Sequence, residues 1–159
     1  MNFFTMELLV RLITSAAGSC AFAMIFKTHR RHLALISLSG LITYFIYYTV
    51  SFFGGGFFVA SFASTVFAAA FGELCARTCH APAMIYNLTG LIPIVPGGEA
   101  YYTMRYLLEK DMPQATVRLG ATIGVALGIA GGIVLVSLVV GVVGDRVAEK
   151  RKGEEYAKH

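Results

Sequence analysis

Long apolar runs separated by short clusters of charge are the feature that most constrains this chain. Its charged residues concentrate at positions 27–31, 99–111 and 145–158. A helix needs about 20 apolar residues to cross a hydrocarbon core about 30 Å thick. The 159 residues therefore allow about four to six crossings and leave no room for a separate soluble domain.

The composition also indicates a membrane protein. Hydrophobic residues make up 57% of the chain and charged residues only 14%, whereas soluble domains are about one quarter charged. Seventeen glycines without an alternating strand pattern favour packed helices over a barrel. We therefore predict an all-α, polytopic membrane helix bundle of about five spans.

The hydropathy pattern predicts a broken fourth helix, an amphipathic helix at the membrane interface and a charged tail. The predicted spans are 3–26, 33–53, 57–76, 81–96 and 115–143, the interfacial helix covers 98–110, and the tail covers 146–159. The fourth span is short and ends in prolines. The fifth, at roughly 43 Å, must tilt or protrude.

Basic residues predict the orientation of the spans. They flank the apolar runs at 27–31, 77 and 146–152. With an odd number of spans, the N-terminus outside and the C-terminus cytoplasmic, all three basic segments lie on the cytoplasmic side, as the positive-inside rule requires. This explains the net charge of +4, so no nucleic-acid partner is expected. Because Glu7 and Arg11 interrupt the first apolar run, we expect it to stay in the membrane instead of being cleaved as a signal peptide.

Two helices carry small residues every four positions. One stripe consists of Gly120, Gly124, Gly128 and Gly132, and the other of Ala60, Ser64, Ala68, Gly72 and Ala76. Lipid gives helices no hydrophobic reason to associate, so close contact through small residues supplies much of the attraction. Both stripes predict helix packing, and the pattern leaves open whether the partner helix belongs to this chain or another.

The Pro/Gly segment 93–98 is the strongest candidate for chemistry. Pro93 has no N–H to donate to the Thr89 carbonyl, and Pro96 has none for that of Ile92. Unpaired backbone at membrane depth costs several kcal/mol unless protein, water or a ligand satisfies it. The ends of a broken helix suit the ammonium and carboxylate of a zwitterion. The alternative, equally weighted, is a kinked loop that leads to the interfacial helix.

Charged residues inside the spans are the second group of candidates. Glu7 and Arg11 are four residues apart, as are Glu73 and Arg77, so each can form an ion pair on one helix. We favour a structural role for the first pair. Glu73 could load and release a proton. Asn87 could contact either a polar solute or a neighbouring helix.

Several functional classes find no support in the sequence. Cys20, Cys75 and Cys79 have neither the number nor the spacing of a metal site and are expected to be packing residues. Nothing resembles a nucleophile with its base or a phosphate loop. We therefore expect no enzyme activity, no cofactor and no bound metal.

A motif around the break resembles the threonine/serine exporter family. It consists of Ala81-Pro82-Ala83, then Gly90-Leu91-Ile92-Pro93-Ile94-Val95-Pro96-Gly97-Gly98, and then Tyr101. The resemblance extends over about residues 5–143. More narrowly, the chain resembles the small-subunit form of the family, which corresponds to the C-terminal half of the single-chain exporters. Thr89 stands where the family pattern has its first proline, and Glu99 adds a charge to it.

The resemblance implies a secondary exporter in the bacterial inner membrane, driven by the proton-motive force. Its substrates would be threonine and serine or, in the two-subunit form, dicarboxylates such as succinate. Its partner would be a larger membrane subunit in a homo- or hetero-oligomer. The expected substrate-binding residues are Asn87, Thr89, Ile92, Pro93, Pro96, Gly97, Gly98 and Tyr101, with Glu73 as the proton-coupling residue. The alternatives are a structural or assembly subunit and, more weakly, a passive channel.

Overall fold

A computed structural model describes residues 6–79 and 82–156, with side chains described for 6–78 and 82–144. Over this part of the chain the structure consists of helices and contains no strand, which confirms the predicted all-α bundle. The helices are α1 (Met6–Ile25), α2 (Arg30–Phe52), α3 (Phe57–Cys79), α4 (Ala83–Leu91), a 3-10 turn (Ile92–Ile94), α5 (Gly97–Leu108) and α6 (Met112–Tyr156).

Four of the described helices, α1, α2, α3 and α6, are long and apolar enough to cross a membrane. The predicted fourth span corresponds to the shorter apolar element Ala83–Ile94. At about 1.5 Å per α-helical residue and 2.0 Å per 3-10 residue, it extends roughly 20 Å, less than the hydrocarbon core of about 30 Å. The predicted break in this helix is therefore present, and a complete fifth crossing stays a prediction.

The last helix is longer than a bilayer is thick. Its 45 residues extend roughly 67 Å, and its apolar part, Met112–Gly144, is 33 residues long. The residues predicted as a charged tail continue this helix as far as Tyr156. Residues 157–159 of the tail, 3–5 of the first span and 81 of the fourth lie outside the described residues.

Tight turns connect α1 to α2 and α2 to α3. Lys27 (φ 53°) follows α1 in a left-handed conformation, and the next N–H, that of Thr28, donates to the Ala23 carbonyl over 3.0 Å. This pattern satisfies the last carbonyls of a helix. Gly54, with φ 85°, supplies the left-handed residue between α2 and α3. Such short connections force consecutive helices to pack side by side.

The glycine stripe of α6 places this helix in close contact with α3. A Cβ added to Gly132 would lie 2.7 Å from the Cβ of Thr65, and one at Gly128 would lie 2.7 Å from the Phe58 carbonyl oxygen and overlap the Ser61 hydroxyl. The α3 residues that these glycines meet, Ser61 and Thr65, are fully buried, whereas Gly72 of the α3 stripe faces α4. The predicted packing role is thus fulfilled within the chain: α6 packs on α3.

Large apolar side chains cover the outside of the bundle. Among them Ile13, Val117 and Leu138 are more than 60% exposed, while many of the fully buried residues are small. A protein surrounded by lipid shows this distribution because its exterior needs no polar coat. The chain is accordingly a multi-pass membrane protein.

The glycine contact generates a prediction about stability. Gly128→Ala should lower the free energy of unfolding by about 1–3 kcal/mol, because the new methyl group meets α3 backbone that has little room to shift. The matched control is Gly120→Ala on the same helix, where a Cβ meets nothing within 4 Å. That change should be neutral or stabilise the protein by up to about 1 kcal/mol. Unfolding in detergent measures both, and equal losses would contradict the contact.

Candidate functional site

The break after α4 is a 3-10 turn that brings the chain into α5. Within it the Val95 N–H donates to the Ile92 carbonyl over 3.3 Å, and the Gly97 N–H donates to the Val95 carbonyl over 2.8 Å. The expectation that the two prolines leave two carbonyls free is therefore wrong for one of them. Val95 takes the place of Pro96 as the donor to Ile92, whereas Pro93 still has no N–H to give the Thr89 carbonyl.

The turn has a buried side and an open side. Ile94 is buried in a small core cluster with Ala68 of α3 and Leu91 of α4. Ile92 and Pro93 instead face a cavity of about 310 Å³ between the turn, α1 and α2. The buried isoleucine anchors the turn and so fixes the two residues that line the cavity. Its lining residues are Arg11, Thr14, Ser15, Gly18, Tyr44, Ile92 and Pro93.

Arg11 is the charged group of this cavity. Its Nη2 and Nε donate to Glu7 Oε1 over 2.7 and 3.2 Å, which confirms that the predicted pair can form. Its Nη1 donates to the Tyr44 hydroxyl over 3.3 Å and so links α1 to α2. The Arg11 side chain is still 54% exposed. A guanidinium presents planar N–H donors that match a carboxylate.

Buried hydroxyl groups continue from the cavity along α1 and α2. Ser15 lines the cavity, and Ser19 lies one turn further along α1. Ser19, Ser39 and Thr43 are at most 1% exposed, and their oxygens have no hydrogen-bond partner among the described residues. Buried polar atoms are normally satisfied by protein or water. Ser19 faces α2 and Ser39 faces α4, so these helix contacts hold hydrogen-bonding capacity that no described residue uses.

The opposite end of α1 and α2 is packed on the side that faces α4. Tyr86 of α4 is 1% exposed and packs with Ala23, Ile36 and Cys75 in an apolar cluster. Its hydroxyl lies 2.8 Å from His32 Nδ1 at the start of α2. Ala23 is twelve residues beyond Arg11, or roughly 18 Å along α1. The molecule thus has a polar cavity near one end of this helix pair and a packed apolar layer near the other.

Two of the predicted α4 residues point away from the cavity. The Thr89 hydroxyl is fully buried and donates to the Ile85 carbonyl of its own helix over 2.5 Å. The Asn87 carbonyl oxygen faces α3, where a Cβ on Gly72 would overlap it, and it has no hydrogen-bond partner among the described residues. Of the two roles considered for Asn87, this position corresponds to contact with a neighbouring helix.

The residues predicted after the break form the first turn of α5 and its approach. Pro96 is half-buried, and Gly97 and Gly98 are exposed, with open space where a Cβ would be. Tyr101 is 64% exposed and lies edge-on to Tyr102. None of the four lines the cavity. The structure therefore brings Ile92 and Pro93 to the cavity and distributes these residues along the adjoining surface.

Two predicted charges have different surroundings. Glu73 is half-buried on α3, and the ion pair considered with Arg77 is absent from the salt bridges of the described residues. Glu99, noted as an additional charge in the motif, is bound by Arg118 of α6 over 2.9 Å. This bridge ties α5 to α6. Glu73 does not line the cavity, so its proton-coupling role stays a prediction.

None of the residues of α1 and α2 that line the cavity is among the predicted substrate-binding residues. The pattern favours a structural role for Arg11, in its pair with Glu7. The available signal was a guanidinium inside an apolar run, which favours a functional role. Thr14 and Ser15 carry no such signal, because serine and threonine in membrane helices commonly bond to their own backbone, as both do here.

Comparison with known proteins identifies one family. The family model described as threonine/serine exporter, ThrE, matches residues 11–139. This range includes α2 to α5, most of α1 and the greater part of α6, and both sides of the cavity. The searches of curated proteins and of solved structures found no match.

Among the described residues, no group of three His, Cys, Asp or Glu side chains could hold a metal ion.

The two-sided turn predicts a difference in labelling. In a background with the native cysteines replaced by serine, Ile92→Cys should react readily with a water-soluble maleimide, because it lines the cavity. Ile94→Cys, two residues away and 5% exposed, should react far more slowly. Labelling in membrane vesicles measures both rates. Equal rates at the two positions would show that the cavity does not admit water or that the turn has another orientation.

Proposed function

Because the chain belongs to the threonine/serine exporter family, we propose that it is the small subunit of a secondary exporter of small polar metabolites in the bacterial inner membrane. The observation that carries this proposal is the cavity beside the broken helix. Its volume of about 310 Å³ lies at the lower end of the range for small-molecule sites, about 300–1,000 Å³. It contains a guanidinium and hydroxyl groups, which suit a small solute with a carboxylate.

The chemistry of the cavity supports amino acids as the first class of substrate. Arg11 would bind the carboxylate of the substrate. The hydroxyls of Thr14 and Ser15 could accept a hydrogen bond from its ammonium or hydroxyl group. Arg11 is the only cationic side chain that lines the cavity in the described part of the chain. A dicarboxylate such as succinate would have one unpaired carboxylate there. We therefore place threonine and serine first and dicarboxylates second.

A transport cycle would alternate the end at which the cavity opens. In such a cycle, an arrangement with the cavity beside Arg11 and the packed cluster around Tyr86 would be the state that is open near Arg11. Release to the other side would require Tyr86 to separate from His32 and from the apolar residues around it. The cavity and the Tyr86 cluster lie roughly 18 Å apart along α1. The motion would have to open the Tyr86 end and close the Arg11 end.

A larger partner subunit is part of this proposal. Glu7 and Arg11 form an ion pair on a spanning helix, yet their side chains are 71% and 54% exposed. Charge facing lipid is costly, so groups of this kind normally face protein or water. A helix of the partner, or a second copy of this chain, would cover the pair and complete the wall of the cavity.

The second candidate is a structural or assembly subunit that does not bind solute. It is favoured by the exposed positions of Gly97, Gly98 and Tyr101, which suit contact with another protein as well as with a solute. The two functions differ in what a mutation at the break does. If Pro93→Ala abolishes export while both subunits keep their membrane levels, the result supports a solute pathway. If it instead lowers the amount of the partner in the membrane, the result supports assembly.

The role of Arg11 is tested by export of threonine. Arg11→Gln should weaken apparent substrate affinity about 10- to 100-fold, since a hydrogen bond to a charged group contributes about 1.5–3 kcal/mol. The measurement is counterflow of labelled threonine, serine and succinate in vesicles that contain the chain and its partner. The substrate that exchanges identifies the solute class.

Arg105→Gln is the matched control. Arg105 is also 54% exposed and also bridges a glutamate four residues away, Glu109, but it lies on α5 outside the cavity. Its replacement should leave counterflow unchanged. A similar loss in both variants would mean that surface charge, and not the cavity, determines transport.

Glu73 is tested by separating exchange from net export. If this carboxylate carries the coupled proton, Glu73→Gln should abolish net export driven by a proton gradient while substrate exchange continues, because a glutamine cannot release a proton. Glu109→Gln, which removes an exposed carboxylate just after the end of α5, serves as the control. Net export that survives in Glu73→Gln and still collapses with a protonophore would exclude Glu73 as the proton site.

A further inference from the structure

A second groove lies where α1 meets α2, at the opposite end of α1 from Arg11. Its volume is about 450 Å³, and it is lined by Met24, Thr28, Arg30 and Leu33. It therefore combines two apolar side chains with a hydroxyl and a guanidinium. It shares no residue with the cavity described above.

The polar part of this groove has unused capacity for an anion. Thr28 Oγ1 is buried and has no hydrogen-bond partner among the described residues. Arg30 and the nearby Lys27 and Arg31 are exposed, and none of the salt bridges in the described part of the chain involves them. No acidic side chain lines the groove. A negatively charged group would therefore find a buried hydroxyl and a free guanidinium together.

The backbone adds to the same preference. Arg30 is the first residue of α2, a helix of 23 residues, and its N-cap, His29, makes no side-chain hydrogen bond to the helix. The first N–H groups of a helix lack intrahelical partners and carry partial positive charge. Phosphates bind at such helix ends. The helix start, the Arg30 side chain and the Thr28 hydroxyl thus favour the same type of ligand.

The apolar part of the groove indicates where the phosphate comes from. Met24 and Leu33 lie on spanning helices within one turn of their ends, which is the depth at which the head groups of a bilayer meet the acyl chains. A free phosphate would not use this apolar surface. We propose that the groove binds a phosphate group, and that it is the phosphate of an anionic phospholipid, whose first methylene groups cover Met24 and Leu33.

The proposal is tested by binding to the purified full-length chain in neutral detergent. Phosphatidylglycerol should raise the melting temperature and be retained in native mass spectra, and phosphatidylcholine should do so less. Arg30→Gln should weaken phosphatidylglycerol binding about fivefold, the effect of about one basic residue near an anionic surface. Thr28→Val, which replaces the hydroxyl with a methyl group, should weaken it as well.

Arg31→Gln is the matched control, because it removes the same charge from the next residue, which does not line the groove. It should change lipid binding less than Arg30→Gln. Equal losses in the two variants would reduce the effect to general surface charge and overturn the site, as would equal stabilisation by both lipids. Inorganic phosphate is a separate arm: stabilisation by phosphate alone that is lost in Arg30→Gln would overturn the lipid as the source.

Discussion

The absence of water inside a bilayer obliges each backbone N–H and C=O to find a partner in the protein, and the other features of this structure follow from that requirement. The requirement is hardest to meet in the stretch after Leu91, where Pro93 and Pro96 remove two donors. The chain responds with a 3-10 turn in which Val95 donates to Ile92. The break then concerns one carbonyl, that of Thr89, to which Pro93 has no N–H to donate.

Such a turn needs rigid neighbours, and small residues provide them. The close contact between α3 and α6 depends on Gly128 and Gly132, where side chains would collide with α3. On its other side α3 receives α4 at Gly72. One helix thus holds both α6 and the broken helix, and α2 approaches α4 through Gly90, where a Cβ would lie 2.7 Å from the Ser39 hydroxyl. Close backbone approach at these points replaces the hydrophobic attraction that lipid does not provide.

The sequence predicted the helical architecture, the break and the stripe on α6 because each is encoded locally. Apolar length, proline and a four-residue repeat have the same consequences in any helical membrane protein. The cavity was not predicted, because it depends on which helices pack together. Arg11 and Ile92 are about 80 positions apart and meet only because α1 and α2 pack against the turn. Likewise, proximity in the motif suggested that Thr89 and Tyr101 share a site with Pro93. The direction of each side chain depends instead on how its helix is rotated. Thr89 bonds back to its own helix, and Tyr101 is exposed.

The surroundings of Arg11 show how a charge can be held in a spanning helix and remain available. A guanidinium has five N–H groups, and the structure assigns them three hydrogen bonds, two to Glu7 and one to Tyr44. Glu7 neutralises the charge, which lowers the cost of keeping it near the membrane. Tyr44 fixes the guanidinium towards α2, on the side of the cavity. Two N–H groups are left for an incoming carboxylate, so binding would not require the ion pair to break. Because no strong interaction would be lost, the solute could enter and leave without a large barrier, as export demands.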